Sequence, residues 1–90
     1  MAQKTEIYEL TPRNGRKSFY GKAKVIVNGN RRYLRSYDTI MGCIDGDGKP
    51  HRYSDYHSAT TGAHIRSFFP DPKGFWELPL EKQPKIMVAL

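Results

Sequence analysis

Phe19-Tyr20-Gly21-Lys22-Ala23-Lys24-Val25-Ile26-Val27-Asn28-Gly29-Asn30-Arg31-Arg32-Tyr33-Leu34-Arg35-Ser36-Tyr37 is the stretch on which the fold depends. It reads as two strands around a tight turn. A strand is expected over Ser18–Val27, with Phe19, Gly21, Ala23, Val25 and Val27 on one side and Tyr20, Lys22, Lys24 and Ile26 on the other. Asn28-Gly29 then supplies the residue pair that tolerates the positive φ angles of a type I′ turn. A second strand follows over Arg31–Tyr37. With Asn28-Gly29 as the turn, Lys24 faces Tyr33; with Gly29-Asn30, it faces Arg35. Side-chain parity is the same in both cases. One face therefore carries Tyr20, Lys22, Lys24, Arg31, Tyr33, Arg35 and Tyr37, and the other carries Phe19, Ala23, Val25 and Leu34 and is expected to meet a helix.

The remaining segments are read outward from this hairpin. Thr5–Leu10 alternates as a first strand, broken by the basic loop Pro12-Arg13-Asn14-Gly15-Arg16-Lys17. Asp38 marks a kink or bulge before a strand over Thr39–Asp45, with Ile40 and Ile44 on one side. Asp45-Gly46-Asp47-Gly48 is a turn into a short strand over Lys49–Tyr53, which Pro50 makes an edge because it lacks an amide donor. Ser58 or Thr60 caps a helix that runs to about Phe69, with Ile65, Phe68 and Phe69 as its apolar face. Pro70 and Pro72 end it. The expected fold is α+β: a small antiparallel sheet of four or five strands, one helix packed on one face, and a Pro-rich C-terminal tail. Residues 1–72 form the single domain. Residues 73–90 wrap it or contact a partner, with Trp76 read first as a core aromatic and second as a partner anchor.

Composition narrows the class of function. Ninety residues leave room for one small core and not for separate cofactor and substrate domains. Aromatic residues at 12% argue against disorder. The net charge of +6 favours partners rich in phosphate or carboxylate. One cysteine, Cys43, cannot make an intramolecular disulfide. Met1–Glu6 lacks the apolar stretch of a secretory signal and no run is long enough to span a membrane, so a cytoplasmic protein is expected.

The chemistry-bearing candidates follow from the hairpin. A basic face with interleaved tyrosines can meet phosphates and stack on bases or pack on a protein. Arg13, Arg16 and Lys17 extend it from the loop. His51, His57 and His64, with Cys43 as a further donor, are the candidate zinc ligands, but their spacing fits no standard zinc pattern and no cofactor is expected. Asp45-Gly46-Asp47-Gly48 lacks the bidentate glutamate of a calcium loop, since Tyr56 stands at its twelfth position. Ser54, Asp55, His57, Ser58 and His64 form no nucleophile elbow or phosphate-cradling loop, and an enzyme is not expected.

Tyr37-Asp38-Thr39-Ile40, Ile44-Asp45, Ser58-Ala59-Thr60-Thr61 and His64-Ile65 together resemble a family of short uncharacterised proteins of bacteriophages, mobile elements and low-GC Gram-positive bacteria. The resemblance covers Leu34–Phe69, and its most specific piece is Ser-Ala-Thr-Thr followed by His-Ile. The family usually places an aromatic, often tryptophan, shortly before that serine; here Tyr56 stands near that place. The resemblance implies a phage or prophage setting, in which small non-enzymatic proteins are often anti-defence factors, anti-CRISPR inhibitors among them. The expected function is thus a non-catalytic inhibitor docking its basic, tyrosine-bearing surface on a host nuclease or nucleoprotein complex. The alternative is a small accessory or regulatory protein that binds DNA or RNA directly. The chain is expected to be a monomer or a homodimer.

Overall fold

A computed structural model describes residues 5–11, 21–55 and 58–84. Among the described residues five strands are present: β1 (Thr5–Glu9), β2 (Ala23–Asn28), β3 (Arg31–Ser36), β4 (Thr39–Ile44) and β5 (Pro50–Arg52). They lie side by side in chain order, each antiparallel to its neighbour. Two helices follow among the described residues, α1 (Ala59–Phe68) and α2 (Pro72–Glu77). Among the described residues no helix is long and apolar enough to cross a membrane.

Local chemistry sets each reversal. The β2–β3 turn sits on Gly29-Asn30 and not on the expected Asn28-Gly29, because Asn28 pairs with Arg31 and Lys24 with Arg35, and Gly29 alone of the turn residues takes a positive φ. Gly29 takes φ +65°, which costs a residue without Cβ nothing. The β3–β4 reversal is also tight: Ser36 pairs with Thr39, and Tyr37 adopts φ +54°, held by its amide donating to Lys22 O at 2.7 Å. Asp38 is thus part of a hairpin turn and not a kink within one strand. In the β4–β5 turn the Asp45 carboxylate accepts from the Asp47 and Lys49 amides, each at 2.9 Å. That Asx geometry explains the turn without any bound cation.

One residue changes the face assignment of β4. Leu34 pairs with Gly42 but Arg35 pairs with Ile40, so Met41 is an extra residue, a β-bulge. The bulge inverts parity. Ile40 packs on one side of the sheet and Ile44 on the other, whereas uninterrupted alternation placed them together.

The helix face of the sheet holds the larger core. Ala23, Val25, Leu34, Met41 and Ile44 meet Ala63, Ile65, Phe68 and Phe69 of the α1 region and Phe75 of α2. Phe69 and Phe75 stack with centroids 4.3 Å apart, directly over Gly42. A Cβ on Gly42 would strike the His51 carbonyl and sit 2.7 Å from Phe75 Cε1, so glycine is what lets both rings reach the sheet. Ser58 caps α1 by accepting from the Thr61 amide at 3.1 Å. The chain leaves α1 through Pro70, Asp71 caps α2, and Pro72 opens it. Phe75, which the sequence assigned to the tail, is 1% exposed in this core.

Candidate partner-binding surface

The tyrosine-bearing hairpin face has the predicted parity but is not an open plate. Lys24, Arg35, Ile26 and Tyr33 do lie on one side, opposite Ala23, Val25 and Leu34. Yet Tyr33 is only 8% exposed and belongs to a second buried cluster with Ile26, Cys43 and Tyr53. Its register neighbours are Ile26 on β2 and Cys43 on β4, and its ring lies 6.3 Å from that of Tyr53. A two-strand reading omits β4 and the residues after β5, and those are what cover it. Tyr37 is separated from this set as well. Its left-handed backbone ends the strand alternation, and its ring lies 5.9 Å from His64 on α1, on the helix side.

The expected cations are likewise divided. Arg35 donates to Asp38 at 2.8 Å, and Lys24 has Glu9 as its register partner on β1. These neighbours bring acid onto a face that the hairpin alone shows as purely basic. Lys22 is exposed just before β2. Arg31 is exposed at the tip of the hairpin, and a hydrogen bond with the Tyr33 hydroxyl holds its guanidinium still more firmly in the charged form. Arg32, which the sequence reading passed over, is also exposed there. Tyr20, Arg13, Arg16, Lys17 and His57 lie outside the described residues.

The histidines do not converge. His51 is in β5, on the face that carries Cys43, and sits between two carboxylates: Nε2 is 2.8 Å from Asp45 Oδ2 and Nδ1 is 2.7 Å from Glu81 Oε2. Two carboxylates on one ring favour the imidazolium, so the His51 pKa is raised, chiefly by Asp45, and Asp45 is lowered to about 2 by the same bond. A ring donating from both nitrogens has no lone pair for a metal. His64 lies in α1 on the other side of the sheet, fully buried, with Nδ1 2.8 Å from Ser36 Oγ. Thr61 Oγ1 is 3.3 Å from the same hydroxyl, so this buried triplet ties α1 to β3. Burial pushes the Cys43 thiol up, and Sγ packs 3.3 Å from the Tyr53 hydroxyl. Among the described residues no group of three or more His, Cys, Asp or Glu side chains is arranged to hold a metal ion.

A cleft that the sequence did not reveal lies at the other end of α1. It encloses about 320 Å³ between the β4–β5 hairpin and α2. Phe69 and Phe75 line it with Ile44, Pro50 and Leu78, and among the described residues Asp71 is its one charged lining residue. Two exposed cations adjoin it: Lys73 precedes Gly74, and Arg32 is the register partner of Ile44 on the same face of the sheet. An apolar centre with a charged margin is the anatomy of a protein-docking patch. Trp76 does not line the cleft. It is half-buried beside it, edge-to-face with Phe75 at 5.2 Å. The only sequence signal for the cleft is Phe69 and Phe75 bracketing the Pro70–Pro72 break, which forces two aromatic-bearing helices to fold against each other.

No curated protein and no solved structure matches this chain. A family profile matches residues 8–77, nearly all of the sheet and both helices. On that match the chain belongs to the family of unknown function DUF8033.

Proposed function

We propose that this chain is a small non-catalytic binding protein of the anti-defence type, docking on a host nuclease or nucleoprotein effector. The observation that carries this reading is the apolar cleft on Phe69 and Phe75 with Arg32 and Lys73 beside it. A protein partner offers what this pairing takes: one apolar side chain to fill the cleft, and carboxylates around it for the cations. Buried aromatic-lined pockets are where interface energy concentrates, and the charged margin adds rate and selectivity. The resemblance of Leu34–Phe69 to phage and mobile-element proteins supplies the setting.

The test is a nuclease assay across a panel of purified bacterial effector complexes, with the chain added in excess. Inhibition of one effector is expected, together with co-elution. Arg32→Glu combined with Lys73→Glu is expected to weaken it by at least tenfold, because each reverses a charge beside the cleft. Undiminished nuclease activity throughout a broad panel counts against the proposal.

Direct binding to DNA or RNA is the second reading, favoured by Lys22 and Arg31, which are exposed outside the cleft margin. It predicts affinity that falls steeply between low and moderate salt, as bound phosphates release counterions. A gel-shift titration at two salt concentrations separates the readings, since a protein-docking role leaves nucleic acid unshifted at moderate salt.

A further inference from the structure

The two edges of the sheet differ. At the β5 edge, Pro50 has no amide to donate, Leu80 bridges Arg52 in parallel, and the Glu81 amide donates to Arg52 O at 2.8 Å. That edge is occupied. At the β1 edge, no strand lies beyond β1 among the described residues. Glu6, Tyr8 and Glu9 are exposed, Tyr8 to 48%.

The hydrogen-bond phase of β1 says what that edge can accept. The Leu10 amide donates to Ala23 O at 3.0 Å, in register with the pairing of Glu9 to Lys24. In an antiparallel ladder bonded pairs alternate. Tyr8 and Glu6 therefore bond to β2, while Thr5, Ile7 and Glu9 point their N–H and C=O groups away from it. The β2–β3 side agrees, because the Tyr37 amide donates to Lys22 O, which leaves the odd-numbered residues of β2 for β1.

We infer that β1 is a homotypic docking edge, pairing antiparallel with β1 of a second copy about a two-fold axis at Ile7. In that register all three outward-pointing residues are used: Ile7 bonds Ile7, and Thr5 bonds Glu9. Glu6 stands opposite Tyr8, and Glu9 opposite Thr5, so no carboxylate faces a carboxylate. Shifting the axis to Glu6 or Glu9 places like charges directly opposite, which is unfavourable. Ile7 already packs on the cluster of Ile26, Tyr33 and Cys43, and pairing at Ile7 joins the two clusters in one continuous row. Five residues a side make a small seam, so association is weak and depends on concentration. This inference is independent of the function proposed above.

Sedimentation velocity from micromolar to millimolar protein tests it. The wild-type mass is expected to rise towards twice the monomer. Tyr8→Glu opposes Glu6 of the other copy and is expected to stay monomeric at every concentration, with an unchanged circular dichroism spectrum because Tyr8 is exposed. Ile7→Pro removes an outward N–H that the monomer does not use, and is expected to do the same. Amide exchange on the wild type gives a reading that needs no variant: protection at Ile7 is expected to grow with concentration. A monomeric wild type throughout, or a dimer that survives both substitutions with an unprotected Ile7 amide, overturns the inference.

Discussion

Leu34 and Tyr33 are consecutive residues of one strand, and they divide the molecule into its two kinds of interior. Leu34 enters the helix-covered core, where Phe68, Phe69 and Phe75 supply rings from two helices. Tyr33 enters a smaller cluster on the opposite face, in which a thiol and a second phenol are neighbours. The first core is built by long-range packing of apolar surface. The second is built almost wholly within the sheet, from one side chain on each of several strands. A face can therefore be polar in sequence and still closed, provided its polar tips find one another.

The comparison predicts a graded series of stability losses, measurable by urea denaturation at neutral pH. Leu34→Ala should be the most damaging, at about 4 kcal/mol, because a 0% exposed side chain leaves a cavity among aromatic rings. Tyr33→Ala should cost about 3 kcal/mol. A loss within a few tenths of zero would show that the second face is open after all, and the distinction between the faces would collapse. Gly42→Ala should cost about 2 kcal/mol, since the added methyl meets the His51 carbonyl and both stacked rings.

The smallest effect should be electrostatic. The raised His51 pKa means that the folded state binds this proton more tightly than the unfolded chain does. The stabilisation is complete below the ordinary histidine pKa and is lost as pH rises through the raised value. Asp45 works in the opposite sense: its contribution is complete above the ordinary carboxylate pKa and is lost as pH falls through about 2. Thermal midpoints should decline gently on the alkaline side in the wild type. His51→Gln keeps a hydrogen-bonding side chain without the charge and should lose that slope. An unchanged slope in His51→Gln would remove the ring from the account.

Most of the fold was legible because its signals are local. Gly29 reverses the chain through its positive φ, one residue further on than the Asn28-Gly29 pair the sequence favoured, Ser58 caps the helix with its own hydroxyl, and Pro50 and Pro70 act through a missing amide and a fixed φ. The face parity of the hairpin followed from these. The bulge at Met41 was not legible, since Ile40 and Ile44 are compatible with plain alternation until the pairing to β3 is known. The cleft was not legible because Ile44 and Phe75 become neighbours only when α2 returns to the β4–β5 hairpin. Nor was the burial of Tyr33, which depends on strands added after its own hairpin closes.

The sequence by itself determined the turn regions after β2 and β4, the cap and apolar face of α1, the parity of the central hairpin and the surplus of positive charge. Each is a property of a residue and its near neighbours, so each survives without knowledge of the rest of the chain. Only the tertiary structure decided which outward face stays open, which cations keep an acidic neighbour and where an apolar cleft forms. Those depend on what lies next to a side chain in space, and partners such as Glu9 for Lys24 or Glu81 for His51 come from segments whose placement no local period encodes.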